Sequence, residues 1–191
     1  MIEIDQDRLQ AACRELLSAI GEDPDREGLQ NTPARWARWW AEFMGGGPAR
    51  GGSLGTTFQG TGVDQLVVVS GIQAWSLCEH HLLPFKVTVS VGYVTDARIL
   101  GLSKFARIVH QLASGLQVQE RLTEEIAEKV AELTGSRNVA VQARGSHLCM
   151  AMRGIRTPAT MVTQALRGVF LTSDSARAEF LSLASRALEV H

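Results

Sequence analysis

The chain has 191 residues and a formal net charge of −1. That length predicts one domain with a sizeable core, and the near-neutral charge argues against a nucleic-acid-binding surface. The chain has three cysteines and no apolar signal segment at its N-terminus, which predicts a reducing cytoplasm. No apolar run approaches the length needed to cross a membrane, so no membrane partner is expected.

The first part of the chain predicts two helices and a loop. Apolar residues recur at spacings of three and four through residues 9–20 and form one apolar stripe. Thr32 is predicted to cap a second helix, because the following Pro33 is tolerated in a first helical turn. Residues 45–64 are rich in glycine, proline, serine and threonine and predict a loop. The second helix also carries a cluster that predicts a core or a subunit interface, namely Trp36, Trp39 and Trp40.

The remaining elements predict an α+β fold. A β segment opens at residues 66–69, and Val87, Val89 and Val91 alternate with smaller or polar residues, as in a half-buried antiparallel strand. Helices are predicted at residues 103–113 and 118–133, a further strand at 139–148, and a short helix from about residue 173. This order indicates helices on one face of an antiparallel sheet.

The segment Cys78-Glu79-His80-His81 concentrates chemically reactive side chains in four consecutive positions. Thiolate and neutral imidazole are preferred zinc ligands, and a catalytic zinc usually has three protein ligands and one open position. Cys78 and one of the two histidines would supply two ligands. The spacing alone does not decide between His80 and His81.

The third ligand is expected in His147-Leu148-Cys149, which places an imidazole and a thiol on one face if the segment is a strand. Cys149 is the natural ligand and His147 its neighbour. Alternatively, Cys78 and Cys149 are small buried apolar residues or a disulfide. The concentration of ligand types favours the metal site.

A second group of residues predicts an anion site. In Gly101-Leu102-Ser103-Lys104, the serine at a helix N-terminus leaves free backbone N–H groups beside a cation. Arg107 lies one turn further on, and Arg153 follows Cys149. The alternative is that Ser103 only caps the helix and that the cations are solvated.

These motifs together resemble the zinc-dependent GTP cyclohydrolase I family. The matching segments lie in the order typical of that family and run through most of the chain: residues 21–24, 26–29, 32–35, 78–81, 101–104, 106–109, 117–123, 147–149 and 153–154. The resemblance implies a tunnelling fold, in which a unit of four antiparallel strands and two helices assembles into a homodecamer with active sites between subunits. Residues 1–64 would be an N-terminal helical region and loop, and residues 65–191 the catalytic domain.

The resemblance also implies roles for individual residues. Cys78, His81 and Cys149 would bind Zn²⁺, and His80, His147 and Ser103 would be catalytic. Gln119 and Glu120 are similar to the guanine-recognition pair of the family, in which a carboxylate accepts both N1–H and N2–H of guanine, donors that adenine lacks. The triphosphate would be bound by Ser103, Lys104, Arg107 and Arg153, with Arg38 as a looser match.

The implied reaction converts GTP and water to 7,8-dihydroneopterin triphosphate and formate. Zinc would activate water for attack at C8 of the purine, and His147 would donate a proton to the ring nitrogen. Ser103 is a candidate for assisting the later rearrangement of the ribose.

The sequence also departs from the pattern of the family, at Ser70-Gly71, Val87-Thr88, Ser114-Gly115, Ala159, Met161 and Gln164. None of these is an expected ligand or catalytic residue, and together they suggest a divergent paralogue. Three interpretations stay open at this point. They are a complete cyclohydrolase, a relative that stops after ring opening or uses another guanine nucleotide, and a non-catalytic subunit on the same fold.

Overall fold

The computed structural model describes residues 3–46, 54, 57–60, 65–95 and 98–186. The chain forms two compact units, Met1–Arg50 and Gly51–His191. Each unit is described separately. Among the described residues, no helix is both long enough and apolar enough to span a membrane.

The N-terminal unit contains two helices, α1 (Gln6–Ala19) and α2 (Thr32–Met44). The side chain of Asp5 caps α1 by accepting a hydrogen bond from the backbone N–H of Arg8 at 2.9 Å. The predicted cap of α2 at Thr32 is wrong, because the carbonyl of Asn31 accepts the first helical bond, from Arg35 N–H at 3.1 Å. Asn31 is therefore the N-cap, without a side-chain bond, and Thr32 is the first helical residue.

The C-terminal unit is built on a five-stranded sheet of order β5-β2-β3-β6-β7. The four long strands are antiparallel, and the short β5 pairs in parallel with the end of β2. A separate two-stranded sheet pairs β1 with β4. The strands are β1 (Thr57–Gln59), β2 (Leu66–Cys78), β3 (Pro84–Val94), β4 (Arg98–Leu100), β5 (Leu116–Gln117), β6 (Val139–His147) and β7 (Thr160–Leu166).

Two long helices, α3 (Leu102–Ala113) and α4 (Gln119–Thr134), cover one face of this sheet. Their fully buried side chains join those of β3 and β6 in the main core, which includes Phe105, Ile108, Leu122, Ile126, Val87, Val89 and Val141. The α+β prediction, with two helices on one face of an antiparallel sheet, is confirmed. The limits predicted for these two helices are within one residue of the observed ones.

The other face of the sheet is partly covered by the C-terminal helices. These are α6 (Val169–Thr172) and α7 (Asp174–Arg186). Ala140 lies between Val139 and Val141 in β6, so its side chain points to the opposite face, where it packs with Phe170 and Phe180.

The strand predicted over residues 139–148 is observed as β6, which ends one residue earlier, at His147. This changes the local structure around Cys149. Pairing between β3 and β6 stops at Phe85 and His147. The chain then turns into a short helix, α5 (Leu148–Ala151), in which Met152 N–H bonds to the carbonyl of Leu148 at 2.9 Å. Cys149 therefore lies on a helical turn, and the condition under which it would share one face of a strand with His147 is not met.

Candidate functional site

The hairpin between β2 and β3 shapes the first half of the site. β2 ends at Cys78, whose carbonyl accepts hydrogen bonds from the N–H groups of His81 at 3.3 Å and Leu82 at 2.9 Å. Leu82 has a φ of 54°, in the left-handed region that closes this tight turn. The turn leaves the side chains of His80 and His81 exposed while Cys78 is buried.

The second half of the site comes from α5. Because Phe85 pairs with His147 across β3 and β6, the turn that follows β6 lies beside the β2–β3 hairpin. The ligand atoms of Cys78, His81 and Cys149 all lie within 4.8 Å of one another. Cys78 Sγ is 3.6 Å from His81 Nδ1 and 3.9 Å from His80 Nδ1. The structure thus brings together two thiols and an imidazole that could hold a metal.

The electrostatics of this cluster suit a cation. Burial has the largest effect and raises the pKa of the Cys149 thiol. The neighbouring Cys78 thiol raises this pKa further, and the nearby Arg153 lowers it. Two adjacent thiols resist ionising together because the second negative charge is repelled by the first. A divalent cation would remove that repulsion and favour both thiolates.

His147 is half-buried at the end of β6, two residues before Cys149. Its ring stacks on Phe85, with centroids 4.5 Å apart and planes 11° apart. Its Nε2 is 2.9 Å from Oε1 of Gln119, a side chain that is 1% exposed. Burial lowers the pKa of His147 below its usual value, and the Glu120 carboxylate acts in the opposite direction. The neutral imidazole is therefore favoured at neutral pH.

The first turn of α4 carries the residues that resemble the guanine pair. Glu120 is exposed, whereas Gln119 is buried and uses its amide on protein partners. Arg121 donates a hydrogen bond to Glu79 at 2.6 Å, and this contact lowers the pKa of the Glu79 carboxyl. Sequence reasoning missed this ion pair, although both residues lie inside segments that carry the resemblance to the family.

The proposed phosphate residues lie on three different segments. Ser103, Lys104 and Arg107 lie in the first two turns of α3, whose N-cap is Gly101. Ser103 is exposed, and the other two side chains are half-buried. Arg153 is exposed in the turn after α5, where its charge acts on Cys149. Arg38 is exposed on α2 in the N-terminal unit.

Two departures from the family pattern, Gly71 and Ser114, have a structural explanation. Gly71 has a φ of 78° at the irregularity between Val69 and Ile72 in β2, where glycine is favoured. Ser114 follows α3 and bonds to the carbonyl of His110 at 2.8 Å. The other departures lie in β3, in β7 or in the loop before β7, at Val87, Thr88, Ala159, Met161 and Gln164.

Comparison with known proteins gives the family. The family model described as GTP cyclohydrolase I matches residues 9–185. GTP cyclohydrolase 1 of Thermobifida fusca is 49% identical over 183 residues, which are 94% of this chain and 88% of that protein. The enzyme of the same name from Thermoanaerobacter pseudethanolicus is 48% identical over 182 residues, with 94% and 97% coverage.

Similarity to solved structures is weaker. The archaeosine synthase QueF-Like has a TM-score of 0.42 and 18% identity, and the match covers 54% of this chain and 95% of that one. A similarity at this level carries no information about function. The match to the family model and the identity to the sequence relatives show that the chain belongs to the GTP cyclohydrolase I family.

Proposed function

We propose that this protein is a zinc-dependent GTP cyclohydrolase I, which converts GTP and water to 7,8-dihydroneopterin triphosphate and formate. The observation that carries the proposal is the approach of Cys78, His81 and Cys149 to within 4.8 Å, in a chain of this family. Membership of the family agrees with GTP as the substrate.

Zinc fits the residues that are present. Two thiols and one imidazole are a typical donor set for a catalytic zinc with one open position. Cys78, His81 and Cys149 would hold the ion, and the exposed His80 would lie beside it. When bound, zinc would lower the pKa of a coordinated water to roughly 7 and so supply a nucleophile at neutral pH.

Glu120 is the proposed guanine reader. It is exposed at the start of α4, and its charge acts on His147. An ionised carboxylate can accept both N1–H and N2–H of guanine in a charge-assisted pair. Adenine has an acceptor at N1 and no 2-amino group, so it would leave the carboxylate unpaired.

His147 is the proposed proton donor to the imidazole-ring nitrogen of the purine as that ring opens. Stacking on Phe85 and the hydrogen bond to Gln119 fix the plane of its ring. A fixed imidazole avoids the cost of ordering the catalytic group during the reaction. Because its pKa is lowered, His147 would first take up a proton to become the imidazolium, which would then release that proton readily to the substrate.

The triphosphate is proposed to bind at the N-terminus of α3. Ser103, Lys104 and Arg107 would combine backbone N–H groups, the helix dipole and two cations. Arg153 and Arg38 would add charge from other segments, and Ser103 would also assist rearrangement of the ribose. The catalytic domain at residues 65–191 would contain all of these groups except Arg38.

A closed homo-oligomer, most simply a homodecamer, is also proposed. In the described part of the chain, β7 pairs only with β6, and the two-residue β5 covers only the end of β2. Such open edges favour pairing with further copies, and ring closure removes them. Light scattering should give the mass of a ring, and a monomer at micromolar concentration would contradict this proposal. A cytoplasmic location is proposed from the cysteine usage.

The test of the function is incubation of the zinc-loaded protein with GTP and, separately, with ATP. We expect pterin fluorescence and formate in equal amounts from GTP, and neither product from ATP. Accumulation of a formylated, ring-opened intermediate would limit the activity to ring opening. Absence of any reaction with GTP would overturn the proposal.

A further inference from the structure

We infer that Gln119 is a positioning residue that holds His147 in one orientation and in one tautomer, with the proton on Nε2. Nδ1, which then carries the lone pair, is the ring nitrogen that would take up a proton from water and pass it on to the substrate. This inference rests on the proposed function for the role of His147, but the tautomer itself depends only on this chain. In this role the Gln119 side chain binds groups of the protein and does not contact the guanine base directly.

The orientation of the Gln119 amide follows from its surroundings. Its Nε2 lies 3.1 Å from the carbonyl oxygens of Ala143 and Met161, and 3.1 Å from Oγ1 of Thr163. If the amide were flipped, its oxygen would face two carbonyl oxygens, which donate nothing and would repel it. The amide nitrogen must therefore face the sheet, and Oε1 must face His147, at 2.9 Å.

The tautomer of His147 follows from the same contact. An amide oxygen only accepts hydrogen bonds, so Nε2 of His147 must carry the hydrogen. A neutral imidazole has one N–H, and Nδ1 is then left with its lone pair. Among the described residues, the hydrogen bonds of this side chain use only Nε2. The stacked ring of Phe85 holds the plane of the imidazole, and within that plane the hydrogen bond to Gln119 favours the orientation with Nε2 facing the amide.

Gly145 gives independent support, because it makes room for this bond. A Cβ atom at Gly145 would lie 1.9 Å from Oε1 of Gln119 and 3.1 Å from Nε2 of His147. Gly145 does not have a positive φ, so its backbone conformation does not require glycine. It lies in β6, paired with Val87 and Met161. The close approach of the Gln119 amide explains the absence of a side chain at this position.

The first test reads the tautomer without measuring activity. The complete oligomer, labelled with ¹⁵N-histidine, would be studied by magic-angle-spinning NMR at a pH where imidazole is neutral. The His147 signals would be assigned by their loss in His147→Asn. We expect a protonated Nε2 and an unprotonated Nδ1. The opposite tautomer, or a mixture of both in the unmodified protein, would overturn the inference.

The second test uses variants. Gln119→Met removes the acceptor at similar volume, and Gly145→Ala should displace the same amide. Gln142→Met is the matched control, because Gln142 is a 5% exposed amide of β6 outside the site. We expect kcat to fall at least about tenfold in the first two variants with little change in KM, as for a misplaced catalytic group, and to be retained in the control.

A large rise in KM for GTP with normal kcat in Gln119→Met would instead identify a direct contact with the base and contradict the inference. Equal losses in all three variants would show a general effect of buried amides and would also contradict it. If the unmodified protein has the expected tautomer but does not act on GTP, the proposed function fails and the positioning of His147 stands.

Discussion

Cys149→Ala is the substitution that tests the metal centre most cleanly, because this thiol is half-buried and lies on a four-residue helix outside the main strands. The change removes one of three protein ligands whose donor atoms lie within 4.8 Å. Structural zinc sites with four protein ligands bind the ion with a free energy of roughly 10–16 kcal/mol, which corresponds to about 2.5–4 kcal/mol per ligand. We therefore expect zinc affinity to fall by roughly 10²–10³-fold.

The assay is metal analysis after dialysis, followed by competition with a chelator of known zinc affinity. The unmodified protein should retain about one zinc per subunit, and Cys149→Ala should lose it together with nearly all ring opening. The fold should survive, because the core formed by α3, α4 and the sheet does not depend on the ion. Circular dichroism and oligomer mass would check this point.

Cys13→Ala is the matched control, because Cys13 is the remaining cysteine of the chain and lies buried in α1 of the N-terminal unit. It makes the same chemical change outside the cluster and should leave zinc content unchanged. Full zinc retention at unchanged affinity in Cys149→Ala would refute the ligand assignment. Equal zinc loss in Cys13→Ala would show that the assay reports general damage.

Glu120→Ala should abolish measurable GTP binding, because each lost charge-assisted hydrogen bond costs roughly 1.5–3 kcal/mol; normal turnover in this variant would place the guanine pocket elsewhere. Glu79→Gln tests the ion pair with Arg121, which lowers the carboxyl pKa in the folded state below its unfolded value of 4.5. Its stabilising effect is present above that value and is lost as pH falls through the folded-state pKa. The difference in Tm between Glu79→Gln and the unmodified protein should therefore shrink in acid, and a difference independent of pH would contradict this reasoning.

The metal ligands could be predicted because their residue types are rare in this chain. Only three cysteines and five histidines are present, and two segments contain both types. The local structure around Cys149 could not be predicted in the same way. Apolar residues continue past the end of β6, but the strand ends at His147, whose pairing with Phe85 is the last pairing between β6 and β3. Where a strand ends depends on its neighbour, which a pattern along one segment does not contain.

The hydrogen-bond partners of the Gln119 side chain could not be predicted from the sequence either. Its hydrogen-bond partners lie 24 to 44 positions away along the chain. They come from β6 and β7, and the alternation in β7 is too weak to predict that strand from its residues. The motif identified Gln119 as important, but only the packed structure shows that its amide faces His147.

The most direct measurement of the proposed reaction uses GTP labelled with ¹³C at C8, followed by NMR of the reaction with the zinc-loaded protein. If Cys78, His81 and Cys149 hold a zinc that serves hydrolysis at this carbon, the label should appear in free formate while an equal amount of unlabelled dihydroneopterin triphosphate forms. His147→Asn should stall at or before the formylated intermediate, with the label still attached. Label that remains in intact GTP, or that appears in formate without a pterin product, would contradict the proposed reaction.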